Sequence, residues 1–116
     1  MKQLKRSECA ILPLVLEGQW YDMIASGEKR EEYRDVKPFW ETRIINWNFR
    51  SIHSYGVKGP WTKTKVVAFS LGYKKADMFF TVFRVMPKNG SHHPEWGEPE
   101  TPHYVIKLGE RVELVD

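Results

Sequence analysis

Leu16-Glu17-Gly18-Gln19-Trp20-Tyr21-Asp22-Met23-Ile24-Ala25-Ser26-Gly27-Glu28-Lys29-Arg30-Glu31-Glu32-Tyr33-Arg34-Asp35-Val36 is the stretch whose reading decides the fold. Leu16, Trp20, Met23 and Ile24 recur at i, i+4, i+7 and i+8, which is one face of a helix, and Gly27 follows where a left-handed C-cap belongs. The spacing predicts a helix from about Gly18 to Ser26. From Arg30 to Val36 the pattern becomes a two-residue alternation with β-prone Tyr33 and Val36, so the chain enters a strand at once. In that strand Glu32 and Arg34 share one face, while Glu31 and Tyr33 take the other. Lys29, Glu32 and Arg34 therefore converge where the helix gives way to the strand. If they face the half-open interior of a barrel, the carboxylate needs both cations to offset its lost hydration; if they face solvent, they form an ordinary salt-bridged surface.

Outward from this junction, Ile11 to Leu16 is a short apolar run suited to a strand, and Pro13 places it at a sheet edge or a strand start. Lys2, Lys5 and Arg6 ahead of Cys9 to Leu16 imitate a signal peptide, but the apolar run lacks a small-residue cleavage site and reads as a first strand. Pro38 suits the first turn of a short helix, with Trp40 and Ile44 on its inner side. Asn46 to Thr64 holds Gly56, Gly59 and Pro60 and no sustained period, so it reads as a long loop. Lys65 to Leu71 and Met78 to Met86 are strand-like and should pair as a hairpin through Gly72 to Asp77. Lys88 to His103 is rich in Gly, Pro and His and reads as a second long loop over the surface. Tyr104 to Leu108 and Arg111 to Val115 then form the last strands, separated by Gly109-Glu110. Several strands, two short helices and no second core predict one α+β domain spanning residues 1–116, a small mixed barrel.

A 41% hydrophobic content over 116 residues supports a packed core. The lone Cys9 excludes an intrachain disulfide framework and a Cys-based zinc site, and with no apolar stretch near the ~20 residues of a membrane span it suggests a cytoplasmic protein with no membrane contact. The net charge of +3 is unevenly spread. From Arg43 to Lys75 there is no Asp or Glu, but Arg43, Arg50, Lys58, Lys63, Lys65, Lys74 and Lys75 mingle with Trp47, Phe49, Tyr55, Trp61, Phe69 and Tyr73. Such a mixture binds phosphates and stacks bases, with Arg50, Lys63 and Lys65 as phosphate contacts; a solvated loop whose aromatics are buried anchors fits the same composition.

Other motifs narrow the field. Adjacent His92 and His93 rarely ligate one ion together, and no HExxH pattern accompanies them, His53 or His103, so no metal site is expected. The four read as loop residues, with His53 in reach of phosphate. Trp96 stands in a polar loop, as a stacking platform if exposed or as a pin for the loop if buried. Trp40 and Trp47 read as core. There is no Gly-rich phosphate loop, GxSxG elbow or dinucleotide fingerprint, and no cofactor is implied.

The string Gly27-x-Lys29-x-x-Glu32-x-Arg34 resembles the GxKxxExR signature of ASCH domains. An apolar strand and an amphipathic helix precede it, Phe69-Ser70-Leu71-Gly72-Tyr73 resembles the family's later Gly-Tyr strand end, and Tyr104 to Gly109 resembles its final strand. The resemblance runs from about Leu12 to Val115. It implies a PUA-like β-barrel with a cleft beside the motif, and a role in RNA metabolism.

On that basis the expected activity is binding of RNA, or of a nucleoside or nucleotide, in a cleft lined by Lys29, Glu32, Arg34 and Tyr73. The alternative is a hydrolase using the same three charged residues. Some ASCH proteins resemble N4-acetylcytidine amidohydrolases, in which a Lys, a Thr three residues later and a distant Glu cooperate; here Lys29 matches, but Glu32 stands in place of the Thr. A ribonuclease is the other form, in which Lys29 and Arg34 stabilise phosphorane charge and Glu32 takes the 2′-hydroxyl proton. A third reading is a protein partner that covers the aromatics of the 46–65 loop.

Overall fold

The computed structural model describes residues 1–51 and 63–116, apart from the side chains of Arg50 and Ser51. The described residues form an α+β fold, in the order β1 (Lys2–Lys5), β2 (Cys9–Leu16), α1 (Gly18–Ser26), β3 (Glu31–Asp35), α2 (Pro38–Ser51), β4 (Thr64–Leu71), β5 (Met78–Lys88) and β6 (His103–Val115). The six strands make one mixed sheet in the order β1-β6-β5-β4-β2, with β3 also paired to β6. β6 organises it: one edge pairs with β5 between His103 and Val112, while the other takes antiparallel β3 along Glu31↔Lys107 to Asp35↔His103 and then parallel β1. Among the described residues no pairing joins β2 to β1 or β3, so the sheet is not closed into a barrel.

β2 is the edge strand that Pro13 calls for, since its only ladder among the described residues is the parallel one to β4, where Pro13 stands opposite Ala68. Along β2 the side chains of Ala10, Leu12, Leu14 and Leu16 enter the core, while Pro13 and Val15 stay exposed. Val67 and Phe69 of β4, Met78 of β5, Ile106 of β6 and Ile24 of α1 complete one contiguous cluster. α1 covers the residues its periodicity predicts, and it ends on Gly27 at φ 86°, whose N–H bonds the Ile24 carbonyl at 3.1 Å. None of the helices is long and apolar enough to cross a membrane among the described residues.

Three expectations need correction. α2 runs to Ser51, so residues 46–51 of the supposed loop are helical; 52–62 lie outside the described residues. Low-propensity Asn46 and Asn48 mask the pattern, but Trp40, Ile44 and Trp47 continue one inner face, and tertiary packing overrides propensity. Trp47 is fully buried, and its indole N–H bonds the Ala10 carbonyl at 2.8 Å, tying α2 to β2.

The last two strands are one, because Gly109-Glu110 lies within β6 instead of forming a turn. A Cβ on Gly109 would fall 2.5 Å from the Thr81 hydroxyl, and the Glu110 N–H bonds that hydroxyl at 3.0 Å. The glycine thus admits the irregular part of β5, where the register shifts around Val82. His103, finally, is not a loop residue: it opens β6 and is wholly buried. β1 had no sequence signal, because its segment is short, Lys-rich and mostly exposed.

Candidate functional site

Where α1 ends, the left-handed Gly27 turns the chain back under the helix, and the Lys29 N–H bonds the Met23 carbonyl at 3.0 Å. This buries Lys29, leaving its side chain 1% exposed. Its ammonium lies 3.1 Å from Glu32 Oε1, 4.5 Å from the centre of the Trp20 ring and 5.3 Å from that of Tyr33. The two ring faces supply cation–π attraction where water is excluded. Burial pushes the Lys29 pKa down and Arg34 pushes the same way, against the opposing pull of Glu32.

Glu32, itself buried, is the hub. Oε1 accepts from Lys29 and, at 2.9 Å, from the Tyr33 backbone N–H; Oε2 faces an Arg34 guanidinium nitrogen at 3.3 Å. Arg34 then reaches past the sheet: it donates to the Tyr33 carbonyl at 2.6 Å and to the Val15 carbonyl of β2 at 3.1 Å, with its guanidinium 5.0 Å from the Trp40 ring centre. It thereby bridges β3 and β2, two strands that do not pair. Tyr33 offers no acid–base chemistry near neutrality, because burial and its bond to Glu31 at 3.0 Å drive its pKa well above the usual phenol range.

These residues floor a cleft of about 650 Å³. Trp20 of α1, Trp40 and Arg43 of α2, and Trp96 and Gly97 of the 89–102 connection form its walls. Three carboxylates (Glu17, Glu32, Asp35) and three cations (Lys29, Arg34, Arg43) line it, so its formal charge is zero. Gly97 sits at φ +81°, and a Cβ there would fall 2.7 Å from Trp20, so only glycine lets the connection close on the indole.

The connection is itself pinned by a second buried carboxylate. Glu98 accepts the backbone N–H groups of His92 and His93 at 2.6 and 2.8 Å and bonds the His103 ring at 2.8 Å, with Lys88 at 3.7 Å. Burial alone would raise the pKa of Glu98, but these partners outweigh it and hold the carboxyl at about 2. Trp96, on a single turn at Pro94–Trp96, stacks on His93 with ring centres 4.2 Å apart.

Of the residues singled out in the sequence, Lys29, Glu32 and Arg34 come together. Tyr73 does not join them: it is fully exposed in the 72–77 turn and does not line the cleft, because Gly72 at φ +59° turns the chain away from the strand. Lys63 is exposed and Lys65 is half-buried against α2, bonded to Asn48 and 5.5 Å from the Trp47 ring centre, which lowers its pKa through burial. Neither lines the cleft. The side chain of Arg50, His53 and most of the proposed 46–65 partner surface lie outside the described residues. Trp20, Trp40, Arg43, Trp96 and Gly97 were missed as cleft residues, and nothing local in the sequence separates these tryptophans from core residues.

Comparison of this chain with protein-family models, with curated proteins and with solved structures finds no match.

Proposed function

We propose that the cleft binds a single unpaired base of RNA, or the corresponding nucleoside, and that the chain is an RNA-binding domain of the ASCH type with a PUA-like fold. The observation that carries this reading is the Lys29-Glu32-Arg34 triad, its first two members buried, at the floor of a charge-balanced, indole-walled cleft. A carboxylate has about four lone-pair positions, and Glu32 uses three, so one acceptor remains. The Lys29 ammonium has donors beyond the one given to Glu32. Acceptor and donor side by side match the edge of a base that presents an amine next to a carbonyl or ring nitrogen. The flat walls suit stacking, worth about 1–3 kcal/mol per base. A cleft with no net charge favours a neutral group over a phosphate.

The test is an NMR titration of the labelled protein with cytidine, N4-acetylcytidine and a short single-stranded RNA. Shift changes should centre on Lys29 to Arg34, Trp20 and Trp40, and Glu32→Ala should abolish them. Saturating ligand without movement at these residues refutes the reading.

The hydrolase reading draws on a separate observation, the lowered pKa of Lys29. A larger neutral-amine fraction would let Lys29 serve as a base or nucleophile toward an N-acylated base, with Arg34 stabilising the oxyanion. Turnover of N4-acetylcytidine that Lys29→Ala abolishes supports it; turnover that survives the substitution assigns the activity elsewhere.

A further inference from the structure

Trp96 lines two cavities. On one side it closes the cleft; on the other it borders a groove of about 460 Å³ shared with Arg30, Glu31, Phe83, His93 and Lys107. The two differ in charge, since the cleft is balanced while the groove sets Arg30 and Lys107 against the one carboxylate of Glu31. That carboxylate is already engaged by Lys107 at 3.6 Å and by the Tyr33 hydroxyl at 3.0 Å. Arg30 is exposed and pairs with no carboxylate among the described residues. Phe83 of β5 is 77% exposed and presents an open aromatic face beside these cations. The divider between the cavities is held in place by the buried Glu98 bonds to His92, His93 and His103.

We infer that this groove holds the nucleotide adjacent to the one whose base enters the cleft, so that the ligand is single-stranded RNA of at least two nucleotides and not a free nucleoside. The inference rests on the cleft reading given above. The joining phosphodiester carries a negative charge that the neutral cleft does not attract and that Arg30 and Lys107 do. Phe83 offers the second base a stacking surface independent of sequence, and the groove has the size of a small-ligand site, about 300–1,000 Å³. Trp96 then separates two neighbouring bases, each in its own compartment.

The experiment compares the four ribonucleosides with the four ribo-homodinucleotides on the full chain, by calorimetry and NMR. The preferred dinucleotide should bind about tenfold or more tightly than its nucleoside, with added shifts at Arg30 and Phe83. Phe83→Ala and Arg30→Gln, both at exposed positions that leave the fold intact, should each remove most of that gain and leave nucleoside affinity unchanged. If nucleosides bind at Lys29, Glu32 and Arg34 but the dinucleotide gains nothing, or if the variants weaken both ligands equally, the groove inference falls while the cleft reading stands. If no nucleoside shifts the Lys29, Glu32 and Arg34 signals, both fall together.

Discussion

Replacing Glu32 by Gln keeps the side chain's size and an oxygen for the Tyr33 N–H, but removes the charge that faces Lys29 and Arg34. At 3.1 Å and an effective dielectric near 20, the Lys29 attraction alone amounts to about 5 kcal/mol. Arg34 loses less, because it is 14% exposed and keeps the Tyr33 and Val15 carbonyls. Lys29 keeps the Trp20 and Tyr33 ring faces and an uncharged amide oxygen where the carboxylate stood. Stranding a buried charge in this way costs about 3–5 kcal/mol. In a domain of this length that lowers the melting temperature by roughly 10–20 °C, and the urea midpoint falls correspondingly.

The pH dependence separates this account from simple loss of packing. The Lys29 pKa in the folded protein is lowered from 10.5, so between the folded value and 10.5 the unfolded state binds more protons and stability rises with pH. Without Glu32 to hold the proton, that window opens further downward. The deficit of Glu32→Gln should therefore shrink as pH rises toward 10.5 and Lys29 sheds its charge. Adding Lys29→Met should recover about 2 kcal/mol or more, since replacing both members of a buried pair is far less costly than removing one. A deficit under about 1 kcal/mol, a deficit constant with pH, or a double variant no more stable than Glu32→Gln would refute the reasoning.

Two further outcomes are expected. The Glu98 carboxyl is held at about 2 against an ordinary 4.5, so it contributes up to about 3 kcal/mol that is fully present above pH 4.5 and lost as pH falls through 2; Glu98→Gln should flatten the acid limb of the stability profile, as followed by urea denaturation at stepped pH. Gly97→Ala adds about 1–2 kcal/mol of left-handed backbone strain and drives a methyl group into Trp20, so ligand affinity at the cleft should fall and tryptophan fluorescence should change, whereas wild-type affinity in this variant would show that the connection does not shape the cleft.

The helix-to-strand junction was legible because its signals are local. Periodicity, a left-handed glycine and two-residue alternation all act within one or two turns of chain, and they located α1, β3 and the charged triad. What failed depended on contacts distant in sequence. Asn46 to Ser51 read as loop until the core met Trp47 from the β2 side. Gly109 read as a turn, though it is an accommodation to Thr81, twenty-eight residues earlier in the chain, and nothing near it could say so. His103 read as one more polar loop residue because what makes it a strand residue is its pairing with Asp35 of β3, sixty-eight residues earlier.

The candidate site divides along the same line. Its floor comes from Lys29 and from Glu32 to Arg34, close together in sequence, but its walls are Trp20, Trp40 and Trp96, which share the composition of a core; what distinguishes a wall from a core residue is whether anything packs opposite it. The basic run from Arg43 to Lys75 shows the converse error, since folding disperses it. Arg43 reaches the cleft mouth, Lys65 is half-buried beside Asn48, and Tyr73 to Lys75 sit in an exposed turn outside the cleft. Charge clustered along a chain is not charge clustered in space. Glu17 and Asp35, which the linear run excludes, enter the cleft and cancel its cations. On the proposed reading, recognition in the cleft rests on a base's edge and faces, and salt dependence belongs to Arg30 and Lys107 on the far side of Trp96.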